Sequence, residues 1–190
     1  MKAKKWNDGS DDMNGKLSNH QYFLSPFYVA SEQEMTVNEI SVEKKDGGIA
    51  VSILIVSGAS DSVAPPGMFP DIPIIKTNLS EGGLMYTAAG GEQIPNQGMQ
   101  RPVVYTPDGT RHMMTFQVAG VHKALGAVSR IVGTGHRVIF DDPNTVGSYI
   151  ENKQTGKKTM LRQHNGVYFL DVYMKPGEHV PVQGFTRPPP

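Results

Sequence analysis

From about residue 35 the chain is a series of short apolar runs, each broken by glycine, proline or asparagine. The spacing is that of strands and turns, not of long amphipathic helices. TVNEISVEKKDGGIAVSILIV holds two β-rich runs parted by Lys45-Asp46-Gly47-Gly48, a hairpin turn. The second run ends at Ser57-Gly58-Ala59 and enters a proline-punctuated loop, DSVAPPGMFPDIP. LMYTAAGGEQIPN reads as two short strands joined through Gly90-Gly91. RPVVYT and RHMMTFQVAG form a further hairpin around Pro107-Asp108-Gly109. AVSRIVGTG is the one helix the pattern supports, with Gly133 or Gly135 as its C-terminal cap. HRVIF returns to strand. SYIENKQTGKKTMLRQHNGVYFLDVYM reads as a three-stranded meander turning at Thr155-Gly156 and Asn165-Gly166.

Ahead of this pattern, residues 1–34 read as a flexible leader, polar except for YFLSPFYVA, an aromatic patch able to dock on the domain. At the other end GFTRPPP belongs to a tail over 177–190, since its prolines bar it from a sheet interior. Composition agrees with a turn-rich β protein. Among 190 residues there are 21 Gly and 14 Pro, above average but short of the compositions that signal disorder.

Charge and side-chain chemistry narrow the functional classes. Lys+Arg and Asp+Glu balance at 18 each, so no net field draws the chain to nucleic acid or to an acidic membrane. Cysteine is absent, which removes disulfides, thiolate nucleophiles and Cys-based zinc sites. The six histidines show no metal-ligand spacing, and no cofactor is expected. No apolar run reaches the length of a membrane span, and MKAKKWNDGSDD lacks a signal-peptide core, so the expected setting is cytoplasmic. Gly133-x-Gly135 follows the predicted helix instead of opening it, which makes it a cap and not a dinucleotide loop. A serine-protease reading of Ser57 fails for want of a Gly-x-Ser-x-Gly elbow.

The chemistry centres on IVSGASDSV, residues 55–63. A strand over Ile49–Val56 ends in a small-residue bend. There Gly58 permits close backbone approach and Ser57 offers a hydroxyl for a tight interface. The order apolar strand, Ser57-Gly58-Ala59-Ser60, then Val63 resembles the Asp-Ser/Thr-Gly-Ala motif of retropepsins, the aspartic proteases of retroviruses and retrotransposons. LMYTAAGGEQIPNQG resembles their glycine-tipped flap, and FQVAGVHKALGAVSRIVGTGHRVIF the strand, helix and strand that follow it. TGKKTMLRQHNGVYFLDV resembles the segment after the protease in copia-type polyproteins. The resemblance covers roughly residues 35–174, and its weight lies in the order and spacing of the motifs together.

The resemblance implies an all-β fold, an acid-protease barrel with one short helix followed by a small β-meander. It divides the chain into a retropepsin-like domain over 35–142 and the meander over 143–176. It implies a homodimer in which each subunit supplies one aspartate at the two-fold axis, acting on a peptide or polyprotein substrate. Val56, Ser57, Gly58 and Ala59 occupy the catalytic motif, and Tyr86, Ala88, Ala89, Gly90 and Gly91 the substrate-covering flap. For Tyr86 a packing role stands equally open.

At the acid's position stands Val56, which cannot accept a proton, orient water or protonate a leaving amine. A second alignment sets Val56 on the residue before the acid and treats the acid as deleted; it is missing either way. Asp61 is the nearest carboxylate, but Ser62-Val63 follow it and the glycine turn is lacking. The sequence therefore predicts an endopeptidase fold without hydrolytic activity. A non-catalytic peptide-binding or dimerisation module, and a structural spacer in a polyprotein, are the alternatives.

Overall fold

The computed structural model describes residues 22–23 and 48–180. The first run of the predicted hairpin, its Lys45–Gly47 turn residues, GFTRPPP and most of the leader lie outside the described residues.

The chain begins with β1 (Tyr22–Phe23), β2 (Ile49–Val56) and β3 (Val63–Ala64), then a helical turn α1 (Asn78–Glu81). There follow β4 (Met85–Thr87), β5 (Gln93–Pro95), β6 (Gly98–Gln100), β7 (Val103–Tyr105), β8 (Arg111–Met113) and β9 (Phe116–Val118). Next come β10 (Leu125–Ala127), α2 (Val128–Gly133), β11 (His136–Ile139), β12 (Tyr149–Asn152), β13 (Lys158–Met160), β14 (Arg162–His164) and β15 (Val167–Met174). The protein is mostly β, as its pattern predicts.

The nine-stranded main sheet runs β6-β9-β3-β10-β2-β15-β7-β8, with β14 paired to β15. Its ends do not meet, so no closed barrel forms among the described residues. Two three-stranded sheets flank it, β1-β4-β5 and β11-β12-β13.

β2 shows why this sheet is central. Successive strand residues point to opposite faces. Val51, Ile53 and Ile55 enter one apolar cluster with Phe69, Phe116, Ile150, Leu170 and Val172. Leu54 and Val56 enter or pack against a second, with Val63, Tyr86, Ile94, Leu125 and Phe169. An apolar run buried on both faces explains why ILIV does not alternate. β15 matches it, antiparallel from Tyr168↔Ile55 to Met174↔Ile49. One polar spot interrupts the seam: Ser52 donates to Oδ1 of Asp171 at 2.6 Å, and Arg162 grips both carboxylate oxygens at 2.6 and 2.9 Å. The segments 35–142 and 143–176 thus share one sheet and one core.

Three local expectations change. α1 is a second helix, closed by a capping box in which Ser80 N–H donates to the Thr77 hydroxyl and Thr77 N–H to that of Ser80. The stretch RHMMTFQVAG splits into β8 and β9, which sit toward opposite ends of the main sheet. The meander divides after Met160, with β13 joining β12 and β14 joining β15 through a tight turn in which Asn165 and Gly166 both have positive φ. The first residues assigned to the tail lie along β7, where Glu178 accepts from the Tyr105 hydroxyl at 2.9 Å and His179 bridges Pro102.

Candidate functional site at the bend after β2

The bend takes its shape from what lies beside it. β2 and β3, the strands entering and leaving it, are not paired to each other. β10 lies between them, parallel to β2 with Ala127 beside Val56, and antiparallel to β3 with Leu125 beside Val63. Glycine leaves room at the middle of β10, because a Cβ on Gly126 would meet Ile55 Cδ1 at 3.0 Å and Ile53 Cγ2 at 3.1 Å and would require those side chains to shift. The Ala127 N–H donates to the Ser62 hydroxyl at 3.1 Å, fastening the strand to the far side of the bend.

Helix α2 follows β10 directly, and its first turn reaches back under the bend. The Ser129 hydroxyl donates to the Ala59 carbonyl at 3.3 Å. Arg130 Nε–H donates to Asp61 Oδ1 at 2.8 Å, with Nη2 on the same oxygen. Asp61 is therefore a buried, ion-paired acid that supports the bend, not one presented on its surface. Val56 is half-buried, Ala59 is buried, and Ser57 and Gly58 are exposed.

The hairpin resembling a flap is formed by β4 and β5 in the register Tyr86↔Ile94. Its tip closes with Ala88 N–H donating to the Glu92 carbonyl at 2.8 Å, and Gly91 takes a φ of 86° there. Ala89, Gly90 and Gly91 are exposed, and Ala88 is half-buried. Tyr86 is fully buried at the hairpin's root. Burial and the neighbouring Asp61 carboxylate hold its hydroxyl well above the usual tyrosine range, so it stays protonated. Asn96 Nδ2 donates to that hydroxyl at 3.3 Å and to Gln117 Oε1 at 2.9 Å, while Gln117 N–H donates to the Ser62 carbonyl at 2.9 Å.

Bend and hairpin therefore meet in two ways. Val56, Tyr86 and Ala88 belong to or pack against one apolar cluster, and a polar chain runs from Asp61 and Arg130 through Tyr86 to Asn96. Ser62, Asn96, Gln117, Ser129 and Arg130 escaped the sequence reading, since lone polar residues between strands carry no motif. Ser129 and Arg130 alone had a signal, the helix that begins directly after an apolar Leu-Gly-Ala strand.

A larger groove of about 860 Å³ opens against the other face of the main sheet, where Val104, Leu170 and Val172 form its apolar floor. Asp61, Ser62 and Arg130 help line it, but neither Val56 to Ala59 nor the hairpin residues do. Among the described residues no group of three or more His, Asp or Glu is placed to hold a metal ion. No described helix is long and apolar enough to cross a membrane.

No protein-family model, no curated protein and no solved structure matches this chain.

Proposed function

We propose that the chain is a retropepsin-like aspartic endopeptidase domain of a retroelement polyprotein that has lost its acid at Val56. In this reading it retains a site for extended peptide without the means to cleave it. The observation that carries the reading is the shared apolar cluster of Val56 and the glycine-tipped hairpin, at a strand end braced by β10 and α2. A carboxylate at position 56 in each of two subunits would form a pair that shares a proton, because two like charges so close cannot both ionise cheaply. Such a pair activates water against a peptide carbonyl. Two valines leave the scaffold and remove the chemistry.

The remaining groups have roles consistent with binding. The exposed bend at Ser57 and Gly58 offers backbone groups, and the hairpin offers a strand to which an extended peptide can add by main-chain hydrogen bonds. The deciding experiment is Val56→Asp, assayed beside the unaltered chain on unfolded protein substrate between pH 4 and pH 7. Acid-favoured cleavage by the variant, blocked by a pepstatin-like inhibitor, is the expected result. A folded, dimeric variant that cleaves nothing removes the endopeptidase ancestry and leaves a binding or spacer domain.

A further inference from the structure

The β4–β5 hairpin has one edge that β5 does not use, and the chain's own leader is already on it. In the antiparallel pairing, Ala88 N–H donates to Glu92 and Asn96 N–H to the Leu84 carbonyl. Bonded and non-bonded pairs alternate along such a ladder. Tyr86↔Ile94 is thus a bonded pair, whereas Met85↔Pro95 and Thr87↔Gln93 are not, in keeping with the missing N–H of Pro95. The N–H and C=O groups of Met85 and Thr87 consequently face away from β5. On that side lies β1, parallel, with Tyr22 opposite Tyr86 and Phe23 opposite Thr87.

We infer that residues 22–23 act as an internally supplied strand that occupies the peptide-accepting edge of the hairpin, so that an extended peptide partner must displace the leader to bind. An unpaired edge invites pairing by any extended chain. Among the described residues two pair, and parallel pairing is the weaker kind. The strand is covalently tethered, with 24 residues between Phe23 and Gly48, so its pairing is intramolecular and does not depend on protein concentration. The occupant is therefore present by default and exchangeable. The pairing half of this inference stands on the backbone register alone; the displacement half rests on the peptide-binding reading above.

The test compares the full chain with its Tyr22→Pro/Phe23→Pro double variant by amide hydrogen exchange, since neither proline can donate to a ladder. The Thr87 amide, which the register turns toward the Tyr22 carbonyl, should exchange at least ~10-fold faster in the variant, while Ile53 to Ile55 in β2 stay slow and report an intact fold. A synthetic peptide of residues 18–27, SNHQYFLSPF, added in millimolar amount, should restore protection at that amide. In the unaltered chain, protection should not change on tenfold dilution, as an internal contact requires. Equal exchange in the two proteins, or protection that falls on dilution, overturns the internal strand. Faster exchange that the peptide fails to reverse overturns the acceptor edge. None of these readouts involves cleavage, so an inactive Val56→Asp variant leaves them standing.

Discussion

Arg130, in the first turn of α2, holds the carboxylate of Asp61 beneath the bend through its Nε–H at 2.8 Å. Asp61 is only 5% exposed, so it depends on that guanidinium for compensation of its charge. Arg130→Ala should lower stability by about 1–3 kcal/mol, the cost of an unsatisfied buried polar group, moderated by water reaching the exposed arginine side. Urea unfolding of Arg130→Ala, Asp61→Asn and the double variant measures it. A coupling energy near zero in that cycle would show that the pair does not brace the bend.

Gly126 and Gly90 make a matched pair of tests. A methyl group on Gly126 runs into Ile53 and Ile55, while one on Gly90 meets nothing within 4 Å. Gly126→Ala should cost about 1–3 kcal/mol by overpacking. Gly90→Ala should stay within about 0.5 kcal/mol, as surface changes do. Thermal midpoints in the same buffer decide it; equal midpoints would mean that β10 has room to move away from β2.

Stability should carry an acid limb from His112. Burial, with His136 nearby, lowers its proton affinity in the folded state, although Asp108 pulls the other way. Its Nε2 is buried with no hydrogen-bond partner. The unfolded chain then binds this proton first, so the contribution is complete above about pH 6.5 and fades as pH falls through the lower folded value. His112→Phe should flatten the change in thermal midpoint between pH 7.5 and 5 relative to the unaltered chain. An unchanged slope would remove His112 from the acid response.

The alkaline limb belongs to Tyr86. Its folded-state affinity for the proton is raised, chiefly by burial and next by Asp61. That contribution is complete below about pH 10 and is lost as pH rises toward the higher folded value. Tyr86→Phe should lessen the fall in stability above pH 10, read by urea midpoints at pH 9 and 11. The same steepness in both proteins would contradict the assignment.

On the proposed two-fold, facing valines bury apolar surface worth about 1.5–3 kcal/mol each at most, where carboxylates would repel. Sedimentation equilibrium should therefore show Val56→Asp associating more weakly than the unaltered chain at pH 7 and recovering near pH 4. A monomeric unaltered chain at high concentration would exclude this interface.

Much of the architecture could be read from local rules. The turns at Gly109, Gly156 and Asn165-Gly166 lie where the sequence put them, and each of these glycines has positive φ. The helix over Val128–Gly133 is the predicted one, capped at Thr134 before Gly135 turns to a φ of 85°. Pairing partners were not legible, because they depend on contacts remote in sequence. Nothing in Leu125-Gly126-Ala127 states that it fits between β2 and β3, and nothing in RHMMTFQVAG marks Met114-Thr115 as the crossing point between two places in one sheet. The bend was visible in the small-residue run Ser57-Gly58-Ala59; its support by Ser129 and Arg130 was signalled only by the helix that follows Leu125-Gly126-Ala127, since a hydroxyl and a guanidinium have no distinctive spacing.

β15 pairs with β2 over nearly its whole length, and among the described residues it is the last strand of the main sheet to be synthesised. A nascent chain that has not yet released residues 167–174 from the ribosome carries β2 with a bare, strongly apolar margin. Closure of the main sheet thus waits for the synthesis of residues 167–174. A ribosome stalled before that strand yields a sticky fragment that chaperones must shield, however well its earlier hairpins have formed.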